Sequence, residues 1–192
     1  MHLSRLAVPL AALAVAGCAS TPANLPPPPP WAFASATPSS GNELRMRSQD
    51  KYLQVTIDGS DIYGSTFSLK HAGAYIRGTG VGQTAIDVKL QGTHAAGSVA
   101  NQPLTVDLQP EGNGVTHVTG LFAGAISDFR ISPAIFQGKL GICSYDFTWS
   151  GMRYEGKVSC GSIQQGSLEL PVAMASWTDL EVATLLAILL GS

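Results

Sequence analysis

Three cysteines, four histidines and thirteen carboxylates are the residues of this 192-residue chain with chemistry to offer. His71, His94 and His117 are spaced 23 and 23 residues apart. Three imidazoles on neighbouring strands could hold zinc with a fourth position open. However, His71 and His94 fall in expected turns and His117 in an expected strand, so these read as surface or turn histidines and no metal site is expected. Asp58, Asp61, Asp87, Asp107, Glu111, Asp128, Asp146 and Glu155 are scattered, whereas a glycosidase needs two carboxylates held a few ångströms apart. A hydrolase with an unfamiliar site would need, for instance, His117 beside a carboxylate in a pocket. Neither a nucleophile elbow nor a Walker loop is present. Gly78-Thr79-Gly80-Val81-Gly82 is glycine-rich, but strand-like residues follow it, and a phosphate cradle needs a helix N-terminus there. It reads as a turn. No catalytic residue and no cofactor are assigned.

The elements available to position such residues are mostly strands. From Glu43 to about Ser162 the chain reads as antiparallel β. Leu53, Val55 and Ile57 alternate with polar partners, as do Ile86, Val88 and Leu90, and Leu104, Val106 and Leu108. That period gives each strand one buried and one wet face. Asp58-Gly59, Glu111-Gly112-Asn113-Gly114 and Ser150-Gly151 mark turns.

A loose repeat runs through these strands. A glycine with a large or β-branched residue close before it recurs at Gly64, Gly78, Gly120, Gly138 and Gly156, with Gly97 a weaker member. From Gly78 onward the spacings are 19, 23, 18 and 18 residues, the length of one hairpin each. A glycine inside a strand marks a bend or a close backbone approach. One per hairpin predicts a strongly curved meander, rolled into an up-and-down barrel or a sandwich.

The last of these hairpins can be read residue by residue. A two-residue turn at Gly151-Met152, glycine first, is the type II′ pattern. It sets Trp149 opposite Tyr154, Thr148 opposite Glu155, Asp146 opposite Lys157, Tyr145 opposite Val158 and Cys143 opposite Cys160. Apolar residues then share one face, polar residues share the other, and opposite charges meet. The cysteines fall at a non-hydrogen-bonded pair, where Cα atoms are closest.

The C-terminal residues change character. A helix is predicted over 177–190, with Ser176 as its cap and Asp179 and Glu181 in its first turn, where carboxylates suit the helix dipole. Leu180 to Leu190 is almost wholly apolar and too short to span a bilayer. Little of it can face water, so the helix is expected as a plug or lid on the β domain. The alternatives are a partner-binding helix or a segment in the bilayer surface, the latter disfavoured by its lack of basic residues.

The beginning of the chain bears on location. Met1-His2-Leu3-Ser4-Arg5 precedes an apolar stretch from Leu6 to Ala16, and Val15-Ala16-Gly17-Cys18 closes it. This resembles a bacterial lipoprotein signal with its lipobox. The resemblance implies cleavage before Cys18, a lipid on its sulfur with acyl chains such as palmitate, and tethering to a membrane. With the non-acidic Ala19 following, it implies the outer membrane, facing the periplasm, with export to the cell surface as the alternative. The expected organisation is a signal peptide at 1–17, a lipidated proline-rich tether at 18–42, and one β domain at 43–192. Pro26 to Pro30 form a stiff spacer. With Cys18 lipidated, Cys143 and Cys160 remain as one disulfide in an oxidising compartment.

Charge narrows the partners. Lys and Arg number 11 against 13 acidic residues, and charged residues make up only 12% of the chain. Basic residues are not clustered along the sequence, so nucleic acid is not an expected partner and no basic run suggests docking on anionic lipid. The leading expectation is a non-enzymatic envelope lipoprotein whose β domain binds a protein or polymer. The alternatives are a carrier of an apolar small molecule in the β-domain interior, with the helix as lid, and the hydrolase above.

Overall fold

The computed structural model describes residues 41–122 and 124–191. The signal segment, Cys18 and residues 19–40 of the tether lie outside the described residues.

Fourteen antiparallel strands run in chain order and close on themselves. They are β1 (Glu43–Ser48), β2 (Tyr52–Asp58), β3 (Asp61–Gly64), β4 (Ser68–Ala72), β5 (Tyr75–Thr79), β6 (Ala85–Gln91), β7 (His94–Val99), β8 (Gln102–Gly112), β9 (Val115–Phe122), β10 (Ala125–Ile131), β11 (Ile135–Leu140), β12 (Cys143–Trp149), β13 (Tyr154–Ser159) and β14 (Ile163–Glu169). Each strand pairs with its sequence neighbour, and β1 pairs with β14 to shut the ring, Met46 opposite Leu168. The mostly β meander is thus an up-and-down barrel rather than a sandwich. The expected sheet ended near Ser162 and missed β14. That strand reads Ile-Gln-Gln-Gly-Ser-Leu-Glu, with too few apolar positions to show alternation.

The alternating residues point as their period requires. Leu53, Val55, Ile57, Ile86, Val88, Leu104 and Val106 are buried inside. Phe129, Phe136, Tyr145 and Phe147 make a cluster of rings with centroids 5.2–6.2 Å apart. The register of β12 and β13 is the one that the Gly151-Met152 turn dictates, from Trp149–Tyr154 to Ser144–Ser159. Beyond it, the sulfurs of Cys143 and Cys160 lie at disulfide distance, with Cα atoms 4.3 Å apart.

The recurrent glycines explain the curvature. They occupy every odd strand from β3 to β13. A Cβ at Gly78, Gly97, Gly120, Gly138 or Gly156 would lie closer than 3.0 Å to a backbone carbonyl oxygen of the preceding strand. These points are where the wall folds tightly on itself, and a side chain has no room. Gly138 adds a second reason, its φ of +127° being a conformation that L-residues rarely adopt.

A short 3₁₀ turn, Val172–Ser176, leads from β14 into the helix α1 (Asp179–Leu190). The helix starts two residues later than expected, and its cap is Thr178, not Ser176. Thr178 and Glu181 form a capping box: the Thr178 hydroxyl accepts from the Glu181 N–H, and the Glu181 carboxylate accepts from the Thr178 N–H at 2.6 Å. Ser176 is already committed to the 3₁₀ turn. Leu180 and every residue from Val182 to Leu190 are buried. Gly41 and Asn42, placed in the tether by the sequence, belong to the fold: their carbonyls accept from Val172 and Ile57.

Candidate functional site

The interior of the barrel belongs to α1. The helix packs on β7, β8 and β9. Its Val182 and Leu186 face Phe136, Tyr154 and Leu168 on the other side of the ring. Both of its ends are fastened to the wall. At the start, Thr116 on β9 donates to Asp179 at 2.6 Å, and His71 on β4 sits 2.9 Å from Glu181 with Trp177 against its ring. At the end, Lys51 and the Tyr145 hydroxyl both donate to the Leu190 carbonyl, at 2.8 and 3.2 Å. Burial lowers the Lys51 pKa from its ordinary value and raises those of Tyr145 and Tyr154. The space left between helix and wall beside Tyr154 is about 10 Å³, room for one water.

The outer wall is polar. Along one row of the register Gln165, Lys157, Asp146, Gln137, Arg130 and His117 stand side by side on six successive strands. Arg77 bonds Asp87 at 2.7 Å, and Arg130 holds Glu111 through two bonds of 2.8 and 3.2 Å. Apolar-in, charged-out is the reverse of a membrane-spanning barrel, whose lipid face rejects Arg and Asp. Among the described residues no helix is long and apolar enough to cross a membrane.

The histidines of the evenly spaced trio do not meet. His71 is in β4 and His94 in β7, strands rather than the expected turns; His71 is turned to Glu181 at the start of the helix, whereas the other two meet carboxylates of the wall. His94 lies 2.7 Å from Asp107, and His117 lies 2.8 Å from Asp128 and 3.5 Å from Glu111. Among the described residues no group of three or more His, Cys, Asp or Glu could hold a metal ion. The His117 pair does set an imidazole beside a carboxylate, but on the convex wall, with Asp128 60% exposed. Asp58 and Asp61 face each other across the β2–β3 turn, Asp61 pairing with Lys70, and Asp146 accepts from Gln137. These are contacts of the wall with itself.

One polar concavity lies outside, over the closure of the ring. A shallow groove of about 420 Å³ crosses β13, β14 and β1, lined by Arg47, Ser48, Arg153, Glu155, Gln165 and Ser167. An ion network borders it: Glu43 pairs with Arg45, Arg45 and Arg153 each lie 3.9 Å from Glu169, and Arg153 holds Glu155 at 2.6 Å. Arg47 stands beyond this network with its guanidinium 5.7 Å from the Tyr52 ring centre. The groove offers guanidinium, amide and hydroxyl donors, a set that hydrogen-bonds oxygen-rich ligands. It escaped the sequence reading because its residues come from both ends of the chain. Arg47 opposite Ser167 is legible only once β1 and β14 are known to pair. Comparison with protein families, curated proteins and solved structures gives no match.

Proposed function

We propose that this chain is a lipid-anchored envelope protein, tethered through Cys18 at the outer membrane, whose barrel binds an oxygen-rich polymer or polar protein segment on its outer face without catalysing a reaction. The observation that supports this most is the helix in the lumen. An up-and-down barrel that stores a small molecule keeps its interior open. Here α1 occupies that volume, so recognition is left to the outside, where the Arg47–Gln165 groove gathers polar donors from both ends of the chain. An apolar guest would have to expel α1 and break the contacts at both of its ends.

Placing a photo-crosslinking residue at Gln165 in the exported protein tests this reading, with Asp87 on another part of the wall as control. A covalent adduct that forms from position 165, fails from position 87 and is lost with Arg47→Glu is expected. Adducts of equal yield from both positions, or none from 165, would overturn the groove. A small molecule retained in a native mass spectrum would instead favour the carrier. Cys18→Ser is expected to move the protein from a diluted and washed membrane pellet to the supernatant.

A further inference from the structure

The two rims of the barrel differ in kind. One rim is made of the seven turns joining β1–β2, β3–β4, β5–β6, β7–β8, β9–β10, β11–β12 and β13–β14, and the C-terminal end of α1 arrives there. Among the described residues, six of the eight exposed large apolar side chains lie on or beside these turns: Tyr52, Tyr63, Val81, Ile126, Ile142 and Ile163. Within two residues of these seven turns the only carboxylate is Asp50, while Arg47 and Lys139 supply outward positive charge; Lys51 lies there too, but its ammonium donates inward to Leu190. The same span around the opposite rim holds Asp58, Asp61, Glu111, Glu155, Glu169 and Asp179 against Arg130 and Arg153, a net negative balance. Two shallow clefts of about 230 and 210 Å³ open at the apolar rim, one beside Ile142 and the other beside Val81.

We propose that this apolar, cation-flanked rim rests on the surface of an anionic lipid bilayer. Aliphatic side chains at turn tips enter the interface, tyrosines suit the headgroup level, and the flanking cations meet acidic headgroups. The carboxylates of the opposite rim exclude it from that role. No basic run in the sequence announces this surface, because the barrel gathers Arg47 and Lys139 from β1 and β11. The chain enters the barrel at the acidic rim, where Gly41 meets Val172. From Cys18 to Gly41 it can reach ~80 Å, against ~18 Å for the length of α1. An anchored barrel therefore has enough chain to lay its far rim on the membrane that holds it.

The test uses the Cys18→Ser chain, which carries no acyl group, and vesicles of phosphatidylethanolamine and phosphatidylglycerol. Co-sedimentation with these vesicles is expected, weaker when phosphatidylglycerol is omitted. The pair Ile142→Asp and Ile163→Asp should lower the bound fraction at least tenfold. These side chains are 81% and 75% exposed, so the fold tolerates the change. Met152→Asp with Val172→Asp, on the acidic rim, should leave binding unchanged. No sedimentation with vesicles, binding that survives the Ile142/Ile163 pair, or an equal loss from the Met152/Val172 pair would overturn the proposal. So would a dimer in solution that the Ile142/Ile163 pair dissociates, since the rim would then be a contact between copies. A missing adduct at Gln165 bears on the groove alone.

Discussion

The ammonium of Lys51, in the turn between β1 and β2, donates to the carbonyl of Leu190 at 2.8 Å, in the last turn of the helix that fills the barrel. The Tyr145 hydroxyl meets the same oxygen from β12. A helix without basic residues in its last turn thus has an end carbonyl held by two donors from the wall.

These buried donors make stability respond to alkali in two stages. Lys51 has a lowered pKa when folded. Below 10.5 the unfolded chain therefore keeps a proton that the folded chain gives up first, and stability rises with pH through that window. Tyr145 and Tyr154 behave in the opposite sense. Burial keeps their phenols protonated when folded, while the unfolded phenols ionise near pH 10. Above that, stability should fall by about 1.4 kcal/mol per pH unit for each tyrosine. Urea unfolding from pH 8 to 12 should show a rise and then a steep fall. Lys51→Met should remove the rise, and Tyr145→Phe should reduce the steepness of the fall. A stability that stays level between pH 10 and 11.5 would contradict the burial of both phenols.

Thr184 lies at the middle of α1, fully buried, and its hydroxyl has no hydrogen-bond partner among the described residues. A buried orphan of this kind costs free energy in the folded state. Thr184→Val keeps the shape and removes the oxygen. It should stabilise the protein by ~1 kcal/mol in chemical denaturation, and a destabilised variant would mean that the hydroxyl is satisfied.

The start of α1 distinguishes two neighbouring hydroxyls. Thr178→Ala removes one half of the capping box and should cost about 1 kcal/mol. Ser176→Ala should change stability by less than about 0.5 kcal/mol, since no cap depends on it. Equal effects would mean that the helix begins where the apolar pattern, rather than the capping box, places it.

The close-approach glycines should be intolerant of a single methyl group. Gly97 has no unusual φ, so space alone decides: a Cβ there would meet the Asp87 carbonyl and the Val88 Cα. Gly97→Ala should cost about 2–4 kcal/mol or prevent closure. Gly41→Ala, with nothing within 4 Å of the added atom, is the matched control and should be close to neutral. Thermal unfolding of the two variants side by side decides the matter.

What could be read in advance follows the range of the interaction. The β12–β13 hairpin was legible because its turn fixes its register locally, and a one-residue slip would have put Tyr145 and Phe147 on the wet face. The glycine repeat announced curvature for the same reason: it acts between adjacent strands. β14 was hidden, because Gly166 and Gln164 stand where apolar residues would have revealed an inward face, and its partner β1 lies more than a hundred residues away. The location of α1 was only half visible. Apolar residues on every side demand burial, but nothing local distinguishes a helix lying on a barrel from one running through it. The groove shares the fate of β14, since its two halves meet only at the closure.

The closure that joins β1 to β14 leaves the sheet with no edge strand. A partner therefore finds no row of unpaired main-chain groups to extend, and strand addition is not a mode of recognition open to this fold. Whatever the barrel binds must be read through side chains. Single-residue changes such as Arg47→Glu should then alter selectivity, where a partner added to a sheet edge would be largely indifferent to them.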